Sequence, residues 1–107
     1  MIVVTTDSIE GKRIARVLGL VRGNTIRARN IGRDIAAAFK NMVGGEISDY
    51  TKMMSESREQ AIDRMIEDAQ ALGANAIVGV RFTTTSMMQS AAELLVYGTA
   101  VILEDSV

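Results

Sequence analysis

The chain contains no cysteine, no histidine, no proline and no tryptophan. Without thiolate or imidazole it lacks the ligands of the usual structural and catalytic zinc sites. It also lacks a cysteine nucleophile and any Ser–His or Cys–His dyad. Zero cysteines fit a reducing compartment, and the expected location is cytoplasmic. Aromatic residues make up 4% of the chain, too few for a base-stacking platform for single-stranded nucleic acid. No run approaches the roughly 18 apolar residues of a membrane span. The opening Met1-Ile2-Val3-Val4-Thr5-Thr6-Asp7 has no basic segment leading into a long apolar one, so no signal peptide is expected. There is no GxxxxGK[ST] and no GxGxxG after a strand, which leaves nucleotide hydrolysis and dinucleotide binding unsupported.

What is present is apolar material and unevenly placed charge. The 107 residues are 48% hydrophobic, enough for the core of one domain spanning residues 1–107. The net charge of −1 hides two opposite halves. Residues 1–45 carry eight Lys/Arg against three Asp/Glu, a net of +5, and residues 46–107 carry four against ten, a net of −6. The plainer reading is that the basic half faces the acidic half, within a subunit or between subunits. The other is an anionic partner. The basic run Lys12, Arg13, Arg16, Arg22, Arg27, Arg29 and Arg33 has no interleaved aromatic, so nucleic acid is a lesser reading that rests on electrostatics alone.

Hydropathy patterning predicts the order β-β-α-α-β-β. Ile2 to Thr5 is a short β-branched strand, and Gly11 supplies a permissive turn. From Ile14 to Ala28 apolar and basic residues partly alternate, with Ile14, Arg16, Leu18, Leu20 and Arg22 on one face. Gly23-Asn24 reads as a turn or bulge in a bent strand or hairpin. Asn30 is a candidate N-cap for a helix carrying Ile31, Ile35, Phe39 and Met42, which stops at Gly44-Gly45. Ser48 is the candidate N-cap of a second helix that runs to about Leu72 and ends at Gly73. Asn75 to Thr85 is a strand with Ala76, Val78, Val80 and Phe82 on one face. Ser86 to Ala92 is expected as a loop and Leu94 to Leu103 as the last strand. The fold class is therefore α+β: a small, mostly antiparallel sheet with two helices on one face.

The last strand is apolar on both faces. Leu94, Val96, Ala100 and Ile102 point one way, and Leu95, Tyr97, Val101 and Leu103 the other. An antiparallel sheet covered on one side normally shows water a polar face. Each such side chain gains about 1.5–3 kcal/mol on burial, so a second layer is expected. A partner subunit is its simplest source, which makes Leu95, Tyr97, Val101 and Leu103 the candidate oligomer interface. The alternative is a strongly coiled sheet that covers itself.

Other residues carry weaker signals. Glu59, Asp63 and Glu67 follow at i, i+4 and i+8, with Glu56 one turn earlier. Like charges at this spacing cost about 0.2–0.5 kcal/mol per pair. The stripe reads first as a solvated face, next as a partner for arginines of a neighbour, and last as ligands for a hard cation. Met53-Met54 and Met87-Met88 are thioether pairs that suit Cu(I), although methionine more often fills gaps in a core. Arg29, Arg33 and Asp34 at the first helix start form a candidate anion site, with an intersubunit salt bridge the plainer reading. Thr5, Thr6 and Asp7 serve as a polar rim or, more simply, in turn and capping duty.

Several segments together resemble one family. Thr5-Thr6-Asp7, Ile9-Glu10-Gly11-Lys12, Leu18-Gly19, Ala28-Arg29-Asn30-Ile31, Arg33-Asp34, Val43-Gly44-Gly45, Tyr50, Leu72-Gly73-Ala74-Asn75-Ala76 and Tyr97-Gly98-Thr99-Ala100-Val101 stand in the order of the YbjQ-like family, which carries a heavy-metal-binding label. The resemblance runs from about residue 3 to residue 103. It implies an α+β fold and a ring-shaped homo-oligomer, a pentamer, and it implies no particular activity. Thr83 to Ala92 departs from the pattern, being rich in Thr, Ser and Met where a more acidic or aromatic strand end and a Gly-bearing turn belong. The leading expectation is a non-enzymatic ring subunit that scaffolds, or binds a small ligand at subunit interfaces. It has no resident cofactor, with a metal on carboxylate or thioether ligands as the runner-up.

Overall fold

A computed structural model of the chain describes residues 1–28, 46–88 and 91–106. Four strands and one helix follow in the order β1 (Ile2–Val3), β2 (Lys12–Ala28), α1 (Glu46–Ala71), β3 (Ala76–Met88) and β4 (Ala91–Asp105). They form a mixed sheet of order β1-β3-β4-β2, with β1 parallel to β3 and both other pairs antiparallel. Among the described residues there is one helix; the expected helix from Asn30 to Val43 lies outside them.

Two prolonged strands make the fold elongated. β2 has 17 residues and β4 has 15, against a usual strand of about 5–6. The chain measures 60 × 25 × 18 Å, with a radius of gyration of 17.5 Å. A compact domain of this length has a radius of about 13 Å.

β2 runs unbroken through Gly23, where a turn or bulge was expected. Gly23 pairs with Val96, and a Cβ there would stand 1.9 Å from the Ala61 carbonyl oxygen. The glycine thus marks where the helix presses on the sheet. The irregularities of β2 fall earlier, between Ile14 and Arg16 and between Val17 and Gly19. They reset the alternation, so Val17 pairs with Val101 and Leu20 with Thr99, while Leu18 packs with Val21 on the helix side. β3 has a similar shift at Gly79, whose φ of 64° suits glycine. Ala76 and Val78 therefore face away from the helix, and Val80 faces toward it, correcting the single face expected for these residues. Both strands also outlast their predicted ends, so most of the expected loop from Ser86 to Ala92 is strand.

Helix α1 lies mainly over β2, with β4 beside it. Ala61, Met65 and Ala69, one turn apart, are buried against Val21, Ile77, Val80, Val96 and Ala100. Small residues let the helix sit close, and Thr25 donates its hydroxyl hydrogen to the Ser57 carbonyl oxygen at 3.4 Å. The helix ends as the sequence predicts. Gly73 adopts φ 83°, its N–H donates to the Gln70 carbonyl at 3.0 Å, and that of Ala74 donates to Ala69 at 3.1 Å, a Schellman closure. Asn75 then joins the sheet through its side chain, donating to the Leu103 carbonyl at 3.0 Å and accepting from the Leu103 N–H at 2.7 Å.

Candidate functional site

The face of the sheet opposite α1 is the part of the molecule with unspent chemistry. At one end it is closed by the chain itself. Ala76, Val78, Val101 and Leu103 are buried there beneath Val4 and Ile9 of the N-terminal segment. Gly79 donates to the Thr6 carbonyl at 2.8 Å and Val80 to that of Val4 at 3.1 Å, which ties this cover to the edge of β3. Lys12–Asp105 at 2.6 Å and Arg13–Glu104 are ion pairs across the outer end of β2 and β4. The Lys12 ammonium, by hydrogen bond and charge, holds the Asp105 carboxyl below its ordinary pKa.

Beyond that cover the face is open and apolar. Val17 is 62% exposed and Leu20 68%, and Ile14 and Ile26 are exposed on the same side. Leu95 is half-buried and Tyr97 is exposed. The four candidate interface residues therefore separate. Val101 and Leu103 are buried within the chain, and Leu95 and Tyr97 remain at the surface.

One row across this face is basic. Tyr97 pairs with Arg22 of β2 on one side and with Arg81 of β3 on the other. Directly opposed residues share a face, so two arginines flank the phenol. All three are exposed. The Nη1 of Arg81 donates to the carbonyl oxygens of Thr5 at 2.8 Å and Val80 at 2.9 Å, which draws its guanidinium toward the β1 edge. Among the described residues neither Arg22 nor Arg81 has an ion pair. Sequence alternation hid this row, because the shift at Gly79 puts Arg81 on the face that Arg22 and Tyr97 share. The signal available was a glycine inside a strand pattern.

The remaining sequence candidates do not join this face. Glu59, Asp63 and Glu67 are exposed on α1, opposite the stripe formed by Ala61, Met65 and Ala69. Arg29, Arg33 and Asp34 lie outside the described residues. So do the side chains of Met53, Met87 and Met88, while Met54 is half-buried. Thr6 donates to the Ser8 carbonyl at 2.7 Å, which is turn duty, and Asp7 stands beside Gly79.

The profile of a family described as "Putative heavy-metal-binding", the YbjQ family, matches residues 1–104. The chain belongs to the YbjQ-like family. A UPF0145 protein of Clostridioides difficile is 59% identical over 98% of this chain and 94% of that protein. A UPF0145 protein of Clostridium perfringens is 55% identical over 99% of this chain and 100% of its own length. The archaeon Methanosarcina acetivorans has one that is 54% identical over 94% of this chain and 95% of that protein. A crystal structure of a protein of unknown function of the DUF74 family from Pediococcus pentosaceus superposes with a TM-score of 0.64. It covers 97% of this chain and 98% of that one at 16% identity. That likeness supports a small α+β fold and nothing finer.

This YbjQ-like chain has no cysteine or histidine, and among the described residues no three carboxylates come together as a cage. Met65 is fully buried in the core, where a thioether is packing. Among the described residues no helix is long and apolar enough to cross a membrane.

Proposed function

We propose that this protein is a non-enzymatic subunit of a homo-oligomer, assembled through the sheet face opposite α1. The observation that carries this reading is the open run of Ile14, Val17, Leu20, Ile26 and Tyr97 on one face. Several large apolar side chains exposed together on one face are the signature of an association surface. The elongated shape supports it, because strands this long leave more surface than a compact monomer does. The resemblance to the YbjQ-like family adds a ring, a pentamer, to the proposal, with any small ligand held between subunits. A neighbour's edge or face would then meet the open part of β2, since the sheet around Val101 and Leu103 is already covered by Val4 and Ile9.

Light scattering of the full chain tests the assembly. The expected result is a single multimer of five subunits at micromolar concentration, and a stable monomer there removes the reading. The family description also motivates elemental analysis of untagged protein. Stoichiometric metal after dialysis would require ligands beyond the carboxylates and thioethers placed above.

A further inference from the structure

The open face carries exposed aliphatic side chains, a few polar residues such as Asn24 and Glu93, and one row that is cationic. Burying two guanidiniums without a counter-charge costs several kcal/mol, so whatever covers the face must bring negative charge to Arg22 and Arg81. A row on an open sheet face gives a small anion little enclosure; a protein surface can meet the whole row. An isologous pairing of two such faces brings arginine toward arginine, with Glu93 hydrogen-bonded by Asn24 at 3.2 Å and Asp7 standing at the edge beside Gly79.

The chain itself carries a matching surface. Glu59, Asp63 and Glu67 form a line of exposed carboxylates on the outer pole of α1. None of them has an ion pair among the described residues. Their like-charge spacing is costly in isolation. Along a helix of about 1.5 Å rise per residue, Glu59 and Glu67 are about 12 Å apart, with Asp63 midway. Neighbouring strands lie about 4.8 Å apart, so the Cα atoms of Arg22 and Arg81 are separated by about 10 Å with Tyr97 midway. The carbonyls of Thr5 and Val80 draw the Arg81 guanidinium outward, which widens the cationic span toward the acidic one.

We infer that the row Arg22–Tyr97–Arg81 of one copy receives the stripe Glu59–Asp63–Glu67 of the next, α1 crossing the neighbour's strands. The two arginines take the outer carboxylates, and the Tyr97 hydroxyl donates to Asp63. The two surfaces lie on opposite sides of one subunit, so the contact is head-to-tail and closes into a ring or runs on as a filament. This inference rests on the proposed homo-oligomer and names its partner surfaces.

Charge swapping in the full chain tests it. All four charged residues are exposed, so far-UV circular dichroism should stay unchanged. In light scattering, Arg22→Glu with Arg81→Glu should raise the half-dissociation concentration at least about tenfold, roughly 1.4 kcal/mol, and Glu59→Arg with Glu67→Arg should do the same. Combining all four changes should restore the multimer. If the wild-type multimer is indifferent to both reversals, or the combined variant associates no better than either pair, the inference falls and the homo-oligomer stands. If only the arginine reversals act, the anion comes from elsewhere and the inference is again overturned. A monomeric wild type removes both.

Discussion

On the helix side of the sheet, Val21, Ile77, Val96 and Ala100 are fully buried beneath α1. On the other side, Val17 and Leu20 of the same strand that supplies Val21 are more than half exposed. Both faces are built from aliphatic side chains, so composition does not separate them. What separates them is the presence of small residues where an element must approach. Gly23, Ala61 and Ser57 let the helix come down on one face. The open face has large side chains and arginines instead, which suits the interface proposed for it.

The sharpest way to break this contrast is at Gly23. A valine there puts Cβ 1.9 Å from the Ala61 carbonyl oxygen and 2.7 Å from the Met65 backbone nitrogen. Both neighbours are helix backbone, which cannot rotate away. Gly23→Val should cost about 3 kcal/mol or more, lowering the thermal midpoint by roughly 12 °C or preventing folding. A midpoint within a few degrees of wild type would mean that α1 does not rest on β2 as described.

Met65→Ala probes the same side through a cavity. The side chain is fully buried, and removing it should cost about 2–5 kcal/mol by urea unfolding. The counterpart on the open face is Leu20→Ser. Leu20 is 68% exposed, so a folded single chain should change by about 0.5 kcal/mol or less. The multimer, in contrast, should dissociate at higher concentration. Were Leu20→Ser to unfold the chain at a dilution where wild type is monomeric, the face would be part of an intrachain core.

Much of this contrast is legible in the sequence, and the rest is hidden for identifiable reasons. The helix ending at Gly73 and the two-faced strand from Leu94 to Leu103 follow from periodicity and one glycine. The faces of β2 and β3 do not, because a single extra residue at a bulge flips every later side chain. Two bulges in β2 separate Ile14 from Arg16 and Val17 from Gly19, and Gly79 does the same in β3. Without the shift at Gly79 Arg81 would share the helix-side face of Ile77, and the basic row would not exist. Gly23-Asn24 reads as a turn or bulge because glycine in a strand permits several explanations, and only the position of Ala61 chooses among them. The cover of Val101 and Leu103 by Val4 and Ile9 is a contact between distant parts of the chain, which no local pattern encodes.

The smallest expected effect lies where the open face meets its closed end. Lys12 and Asp105 pair at 2.6 Å, with Asp105 largely exposed. The hydrogen bond from Lys12, and then its charge, hold the Asp105 pKa below the ordinary value. A carboxyl whose folded pKa is depressed contributes stability above its unfolded pKa and loses it as pH falls through the folded one. The window is therefore acidic, and above it the pair is fully formed. Because the group is in water, the pair is screened and should hardly move the unfolding midpoint. The readout is local: in a carboxyl-carbon NMR titration Asp105 should titrate below an ordinary aspartate, and Lys12→Met should return it to the usual range. An Asp105 that titrates as an ordinary aspartate in the wild type would show that Lys12 does not stay on it. The closed end of the face would then be held by Arg13–Glu104 and the N-terminal cover alone.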